Sequence, residues 1–278
     1  MTTTPQAQSR PVGDLLRMWR QRRSLSQLEL ALRAEVSARH VSFLETGRSQ
    51  PSREMLLHLA EELDIPLRER NTLLMAAGFA PVYAERSLDD PALRASKEAV
   101  ELVLAGHEPY PALAVDRHWT LVTANRAIAP LLEGIAPDLL QPPINVLRLS
   151  LHPSGLAPRV ANLEQWRNHV LTRLHRQIDL SGDEKLVALL EELRGYGTQG
   201  SGARTSGNLQ ELDYAGVVVP MRIQTSHGLL SLFGTTTVFG TPVDITLAEL
   251  AIESFFPADP QTAAVLRRIA EEGFGSDA

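Results

Sequence analysis

Hydrophobic positions follow two regimes along this chain. Up to about Gly78 the apolar residues recur at helical spacing in short groups. Leu15, Leu16 and Trp19 make the first amphipathic stripe. Ser26 followed three residues later by Glu29 reads as a capping box, so a second helix starts after Ser26 and carries Leu28, Leu30, Ala31 and Ala34. Ser37 is the next cap candidate. Val41 and Leu44 lie four and seven residues beyond it, as the inward positions of a third helix ending at Gly47. Pro51 and Ser52 open a fourth, with Leu56, Leu59, Ala60 and Leu63 inward, and a fifth runs from about Leu67 to Ala77 and stops at Gly78.

Beyond this the period changes. The stretch from Ala80 to Asp90 has Pro near both ends and mixed charge, and marks a boundary. Asp90-Pro91 caps a helix through about Ala105, with Val100, Val103 and Leu104 inward. Two short strands, Ala112 to Val115 and Trp119 to Ala124, flank the turn Asp116-Arg117-His118, and Asn125 starts another helix. A Pro-rich connection, Pro137 to Pro143, precedes two helical stretches near Ala161 to Arg176 and Gly182 to Arg194. Ala215 to Gln224 and Leu229 to Phe239 then alternate, with Val217, Val219, Met221 and Ile223 on one face, joined by the turn Thr225 to Gly228. A last strand-to-helix region spans Val243 to Phe256. The expected fold class is an all-α helix-turn-helix domain followed by an α+β domain, an antiparallel sheet with helices on one side. In residues this is a tail at 1–11, a five-helix head at 12–79, a linker and the start of a connecting helix at 80–94, a distal domain at 95–270 and a tail at 271–278.

Composition narrows the chemistry. With 278 residues, 44% hydrophobic and 22% charged, the chain has the size and balance of about two folded domains, and no run reaches the ~20 apolar residues of a membrane span. No membrane partner is expected. The first dozen residues do not resemble a secretion signal, so the expected location is cytoplasmic. Zero cysteines exclude disulfides, thiol nucleophiles and Cys-based zinc sites. The net charge of −6 conceals an asymmetry. Arg10 to Ala60 carries nine Arg and five acidic residues, net +4, whereas the remaining 18 basic and 28 acidic residues give −10. Every cation in the basic segment is Arg, whose fork grips phosphates and guanine edges bidentately.

A tight turn, Glu35 to Ser37, separates the second and third helices, and a helix held that way can enter a major groove. The string S-Q-x-E-L-A followed by V-S-x-x-x-V-S-x-L-E-x-G makes residues 12–78 resemble the phage-repressor-like helix-turn-helix family, also called the xenobiotic-response-element family of bacterial regulators. The resemblance implies that Gln27 clamps a phosphate. It places Ser37, Ala38, Arg39, Ser42 and Phe43 on the outward face of the recognition helix, with Arg48 just beyond. Arg39 is the expected base reader, with phosphate contact as its alternative role. Where the family has Gly in the turn this chain has Glu35, and a Cβ disfavours positive φ, so a slightly shifted turn is expected. One such unit reads a short half-site, which implies a homodimer on a near-palindromic double-stranded operator.

In the distal region HEPYPALAVDRHWTLVTAN, LRLSLHPSGL and ESFFPADPQTA together resemble the ligand-binding domain of MmyB-like regulators, over about residues 95–270. That implies a PAS-like fold with a cavity for a small lipophilic ligand, a fatty acid being the family's suggested effector. Candidate lining residues are Trp119, Val122, Trp166, Val170, Leu174, Met221 and Phe233, each of which could instead be ordinary core. Arg148, Arg167, His169 and Arg222 are candidates to meet an acyl carboxylate. No cofactor or metal is expected. GYGTQG at Gly195 to Gly200 matches the dinucleotide G-x-G-x-x-G, but a helical stretch precedes it and a Gly/Ser loop follows, so a flexible loop is the better reading. His169 and His175 are six apart, on different helix faces, and neither H-E-x-x-H nor G-x-S-x-G occurs. The reading is a ligand-responsive regulator and not an enzyme. Two alternatives stay open: an enzyme with an autoregulatory DNA-binding head, and a constitutive repressor whose distal domain only dimerises.

Overall fold

Ser26 and Glu29 close the capping box that their spacing predicts. The Glu29 amide donates to Ser26 Oγ at 3.1 Å and the Ser26 amide to Glu29 Oε2 at 2.6 Å. The computed structural model describes residues 11–197, 219–240, 242 and 244–274, which divide into two units. In the first, α1 (Val12–Arg22), α2 (Gln27–Arg33), α3 (Ala38–Glu45), α4 (Arg53–Glu62) and α5 (Leu67–Ala76) surround a core that includes Leu16, Trp19, Leu30, Leu44, Leu56, Leu59 and Leu73. Ser37 caps α3 through the His40 amide and Ser52 caps α4 through the Met55 amide. Gly13 is where α1 meets α3. A Cβ there would stand 2.6 Å from the Leu44 carbonyl oxygen, so no larger residue fits.

The expected shift of the α2–α3 turn does not occur. Glu35 itself takes the left-handed conformation, φ +51°, and the Val36 amide donates to the Ala31 carbonyl at 2.9 Å, as in a glycine-closed helix end. The boundary after residue 79 also lies elsewhere. Asn71 on α5 fixes the next segment by accepting from the Val82 and Tyr83 amides and donating to the Tyr83 carbonyl, and Arg68 holds Glu85 through two bonds of 2.6 Å. The first unit therefore runs to Arg86, and it also takes residues 242–248 from far down the chain. There Asp244 bridges in parallel to Ala84, its buried carboxylate takes a hydrogen bond from Arg86 at 3.0 Å, and Ile245 and Leu247 are buried.

The second unit is built on one antiparallel sheet, β1 (Ala112–Val115), β2 (Leu121–Ala124), β3 (Met221–Thr225), β4 (Gly228–Val238) and β5 (Ala251–Pro257), in the order β2-β1-β5-β4-β3. Helices cover both faces, not one. α6 (Arg94–Gly106) buries Val100 and Leu104 on the face bearing Ala112, Ala114 and Ile252. The alternate residues Leu113 and Val115 turn the other way, into the core made with α7 (Val146–Leu151), α8 (Leu163–Ser181) and α9 (Glu184–Gly195). Val103, expected inward, is 45% exposed because the apolar stripe of α6 is narrower than its apolar composition. The last region is also reversed. A single helical turn, α10 (Ile245–Ala248), precedes β5, and α11 (Pro260–Phe274) follows it, past the start of the expected tail. Residues 215–218, including Val217, and 198–200 of the Gly-rich string lie outside the described residues. The part of that string before them closes α9, a helix where a dinucleotide fold requires a strand.

Candidate functional site

α3 is fixed to the first unit by one buried carboxylate. Arg20 of α1 donates from Nε to Glu45 Oε1 at 2.5 Å and from Nη2 to Oε2 at 2.9 Å, while its Nη1 meets the Leu25 carbonyl at 2.7 Å. Gln27 adds a bond from Nε2 at 2.8 Å and Arg17 one at 3.5 Å. Burial alone would push the Glu45 carboxyl up. The hydrogen bonds from Arg20 and Gln27 outweigh it and hold the group below the usual carboxylate range. This pins the end of α3 and the start of α2 together. It takes one N–H of the Gln27 amide, leaving the second for the phosphate that the sequence reading gave this residue.

The face of α3 turned away from that anchor carries Arg39 and Phe43, with Arg48 just past the helix. The guanidinium groups of Arg39 and Arg48 lie 5.0 and 5.8 Å from the centroid of the Phe43 ring, so two cations flank one aromatic plane. Both arginines are exposed. Ser37 is engaged as the helix cap, Ala38 opens the helix, and Ser42 is half-buried beside Phe43. Such a surface offers forked donors for guanine O6 and N7 around an apolar ring able to meet a thymine methyl.

In the second unit a cavity of about 190 Å3 opens between the sheet and α7 and α8. Its wall is apolar over most of its extent, with Leu113, Leu121, Ile144, Leu147, Met221 and Phe255 among the lining residues. The two indoles in the wall have their N–H groups satisfied, Trp119 by Gln177 Oε1 and Trp166 by Ser150 Oγ, both at 2.8 Å. Trp119 has φ +66°, an unfavourable conformation for a bulky residue. Asp116 imposes it by taking the amides of both His118 and Thr120 at 2.8 Å.

The polar end of the cavity consists of His169, Arg173 and Glu253. Arg173 donates to both oxygens of Glu253, at 2.6 and 2.8 Å, and to Thr236 Oγ1 at 2.5 Å, and its guanidinium lies 4.6 Å from the Trp119 ring centroid. His169 stacks on Trp166 at 5.4 Å. Burial and the charges of Arg173 and Arg176 lower its pKa, against the weaker pull of Glu253, so the imidazole is neutral near pH 7.

Of the expected lining residues, Trp119, Trp166, His169, Val170 and Met221 reach the cavity. The others do not. Val122 follows Leu121 on β2 and points to the opposite face, 40% exposed, and Leu174 is fully buried in the surrounding core. Phe233 is turned to the far side of the sheet, stacked on Phe256 at 5.5 Å. Arg222 alternates with Met221 and Ile223, and so leaves the buried face of β3. Arg148 is bound to Glu192 by bonds of 2.6 and 2.7 Å, at a separate shallow groove. Arg167 turns to the last carbonyls of α9, Leu193 and Arg194. Sequence reasoning missed Arg173 and Glu253. Only the i+4 step from His169 to Arg173 along one helix face gave a hint of the first.

Among the described residues no three His, Asp or Glu side chains gather to hold a metal ion, and no helix is long and apolar enough to cross a membrane. Residues 97–269 match the family model described as the MmyB-like transcription regulator ligand binding domain, and residues 16–70 match the helix-turn-helix model. Among solved structures, the clp gene regulator ClgR from Corynebacterium glutamicum aligns with 28% identity over 35% of this chain and 90% of its own, with a TM-score of 0.22. An RNA-binding light-oxygen-voltage receptor aligns with 14% identity over 99% of this chain and 70% of its own, with a TM-score of 0.26. No curated protein matches the chain.

Proposed function

Because the chain belongs to the MmyB-like transcription regulators, with a helix-turn-helix head and a ligand-binding domain, we propose that it is a one-chain sensor whose grip on DNA changes when a small apolar molecule fills its cavity. The observation that carries this is the apolar cavity of about 190 Å3 in the second unit, a volume that a merely dimerising domain has no reason to leave unfilled. An acyl compound is the natural occupant, a fatty acid being the leading candidate. The DNA partner is a near-palindromic duplex bound by a homodimer in the cytoplasm. Arg39 reads a guanine, Phe43 lies against a neighbouring base, and Arg48 and Gln27 hold phosphates. The ligand acts only to the extent that it binds one arrangement of the dimer better than another. Catalysis is not part of this reading: Glu253, the carboxylate among the described lining residues, is already closed on Arg173 and is not available to work as a partner acid or base for His169.

The test is to denature the purified chain in organic solvent and examine the extract by mass spectrometry, then to footprint the operator with and without the species found. A stoichiometric lipid that alters the footprint is the expected result. An extract that stays clean after lipids are offered, with unaltered DNA binding, refutes the sensor reading and leaves the constitutive repressor.

A further inference from the structure

The charges along the cavity wall indicate which head group the ligand carries, an inference that rests on the ligand-cavity reading above. Among the described lining residues the ionisable groups are His169, Arg173 and Glu253. The Arg173 guanidinium closes on both oxygens of Glu253 and on Thr236, and its flat face lies over Trp119. Its charge is therefore matched by a carboxylate that belongs to the wall, and the Glu253 side chain is only 5% exposed. A second carboxylate brought to this end would lose its water, meet the like charge of Glu253 and find no unmatched cation among these residues. His169 is different. Its ring nitrogens make no hydrogen bond among the described residues, although the ring is fixed against Trp166 in the wall. A neutral imidazole presents one N–H donor and one acceptor, the complement of a hydroxyl, an amide or an un-ionised acid.

We propose that the cavity selects an apolar chain ending in an uncharged hydrogen-bonding head, held by His169, and that Glu253, locked to Arg173, excludes the carboxylate anion. A fatty acid then enters as the neutral acid. Its apparent affinity falls as the pH rises above the acid's own pKa, about tenfold per unit, because only the protonated fraction binds. The charged groups in the wall at this end, among the described lining residues, are Arg173 from α8 and Glu253 from β5. Arg176 of α8 is exposed and lies outside the lining; burial, with the charges of Arg173 and Arg176, lowers the pKa of His169.

The test compares decan-1-ol with decanoate on the full chain by calorimetric titration at pH 8 and pH 6. At pH 8 the alcohol is expected to bind at least about tenfold more tightly than decanoate, and decanoate to gain about a hundredfold on moving to pH 6 while the alcohol is little changed. Glu253→Gln frees the charge of Arg173, and is expected to raise decanoate affinity at pH 8 by about tenfold or more without a matching change for the alcohol. His169→Phe keeps the stack on Trp166 and is expected to weaken the alcohol by about tenfold. Decanoate binding at pH 8 as tightly as the alcohol in the unaltered protein overturns the head-group assignment and leaves the cavity as a ligand site. Binding of neither probe overturns both.

Discussion

Replacing Glu45 by Ala removes the acceptor at which α1, α2 and α3 converge. The Arg20 side chain is 10% exposed and that of Glu45 is 1% exposed, so the change leaves a guanidinium inside the head with the Leu25 carbonyl as its remaining partner. Deleting one member of a buried pair costs about 3–5 kcal/mol, against about 0–1 for a surface pair. With an m-value of about 1–2 kcal/mol/M in urea for a unit of this size, the unfolding midpoint of the head should fall by about 2 M or more. Far-UV circular dichroism during a urea titration follows it. Arg20→Met combined with Glu45→Leu should recover most of the loss, because the penalty comes from the stranded charge and not from missing attraction. The effect also depends on pH with a definite sign. The carboxyl of Glu45 is lower in the folded head than its unfolded value of about 4.3, so the pair's contribution is complete above that value and disappears as the pH falls through the lower folded one. A Glu45→Ala head within about 1 kcal/mol of the parent at pH 7 would refute the reasoning and reclass the pair as a surface contact.

Arg39→Ala should reduce operator affinity by about 1–3 kcal/mol with relaxed selectivity at one base position, whereas Arg48→Ala should weaken all sequences alike and lower the salt slope by about one; titrations at several salt concentrations separate the two. Gly13→Ala drives a methyl group to 2.6 Å from the Leu44 carbonyl and should destabilise the head by about 1–3 kcal/mol, read as a lower thermal midpoint. Val146→Phe projects a ring into the cavity and should abolish recovery of any lipid by extraction while the unliganded footprint persists.

Local chemistry made the first unit readable. Ser26 with Glu29, Ser37, Ser52, and Gly78 in its left-handed conformation act within a turn of themselves, so their spacing alone locates the helix ends. The same holds for the β1–β2 hairpin. What escaped is non-local. Glu253 pairs with Arg173 across 80 residues, and in the linear sequence each is one more solvated charge. Val122 and Phe233 show the converse error: both are apolar enough for a cavity, but strand alternation sends them to the other face. The four Arg and His candidates were chosen for charge, and three of them are claimed by Glu192, by helix-end carbonyls or by the far face of β3, leaving His169. Nothing in the pattern of residues 242–248 marks them as part of the head, because burial against a partner far away in the chain leaves no period of its own.

The piece of the head contributed by residues 242–248 sets an order of events during synthesis. Arg86 and Asp244 are separated by 158 positions, and at roughly 5–20 residues per second the ribosome delivers the second on the order of ten seconds or more after the first. For that interval the reading helix and its Glu45 anchor can already be folded, while the stretch Ala84 to Arg86 waits for its partner. A transcript broken before codon 244, or a head excised after Arg86, therefore yields a DNA reader with an unfinished edge, complete in its motif and incomplete as a folded unit.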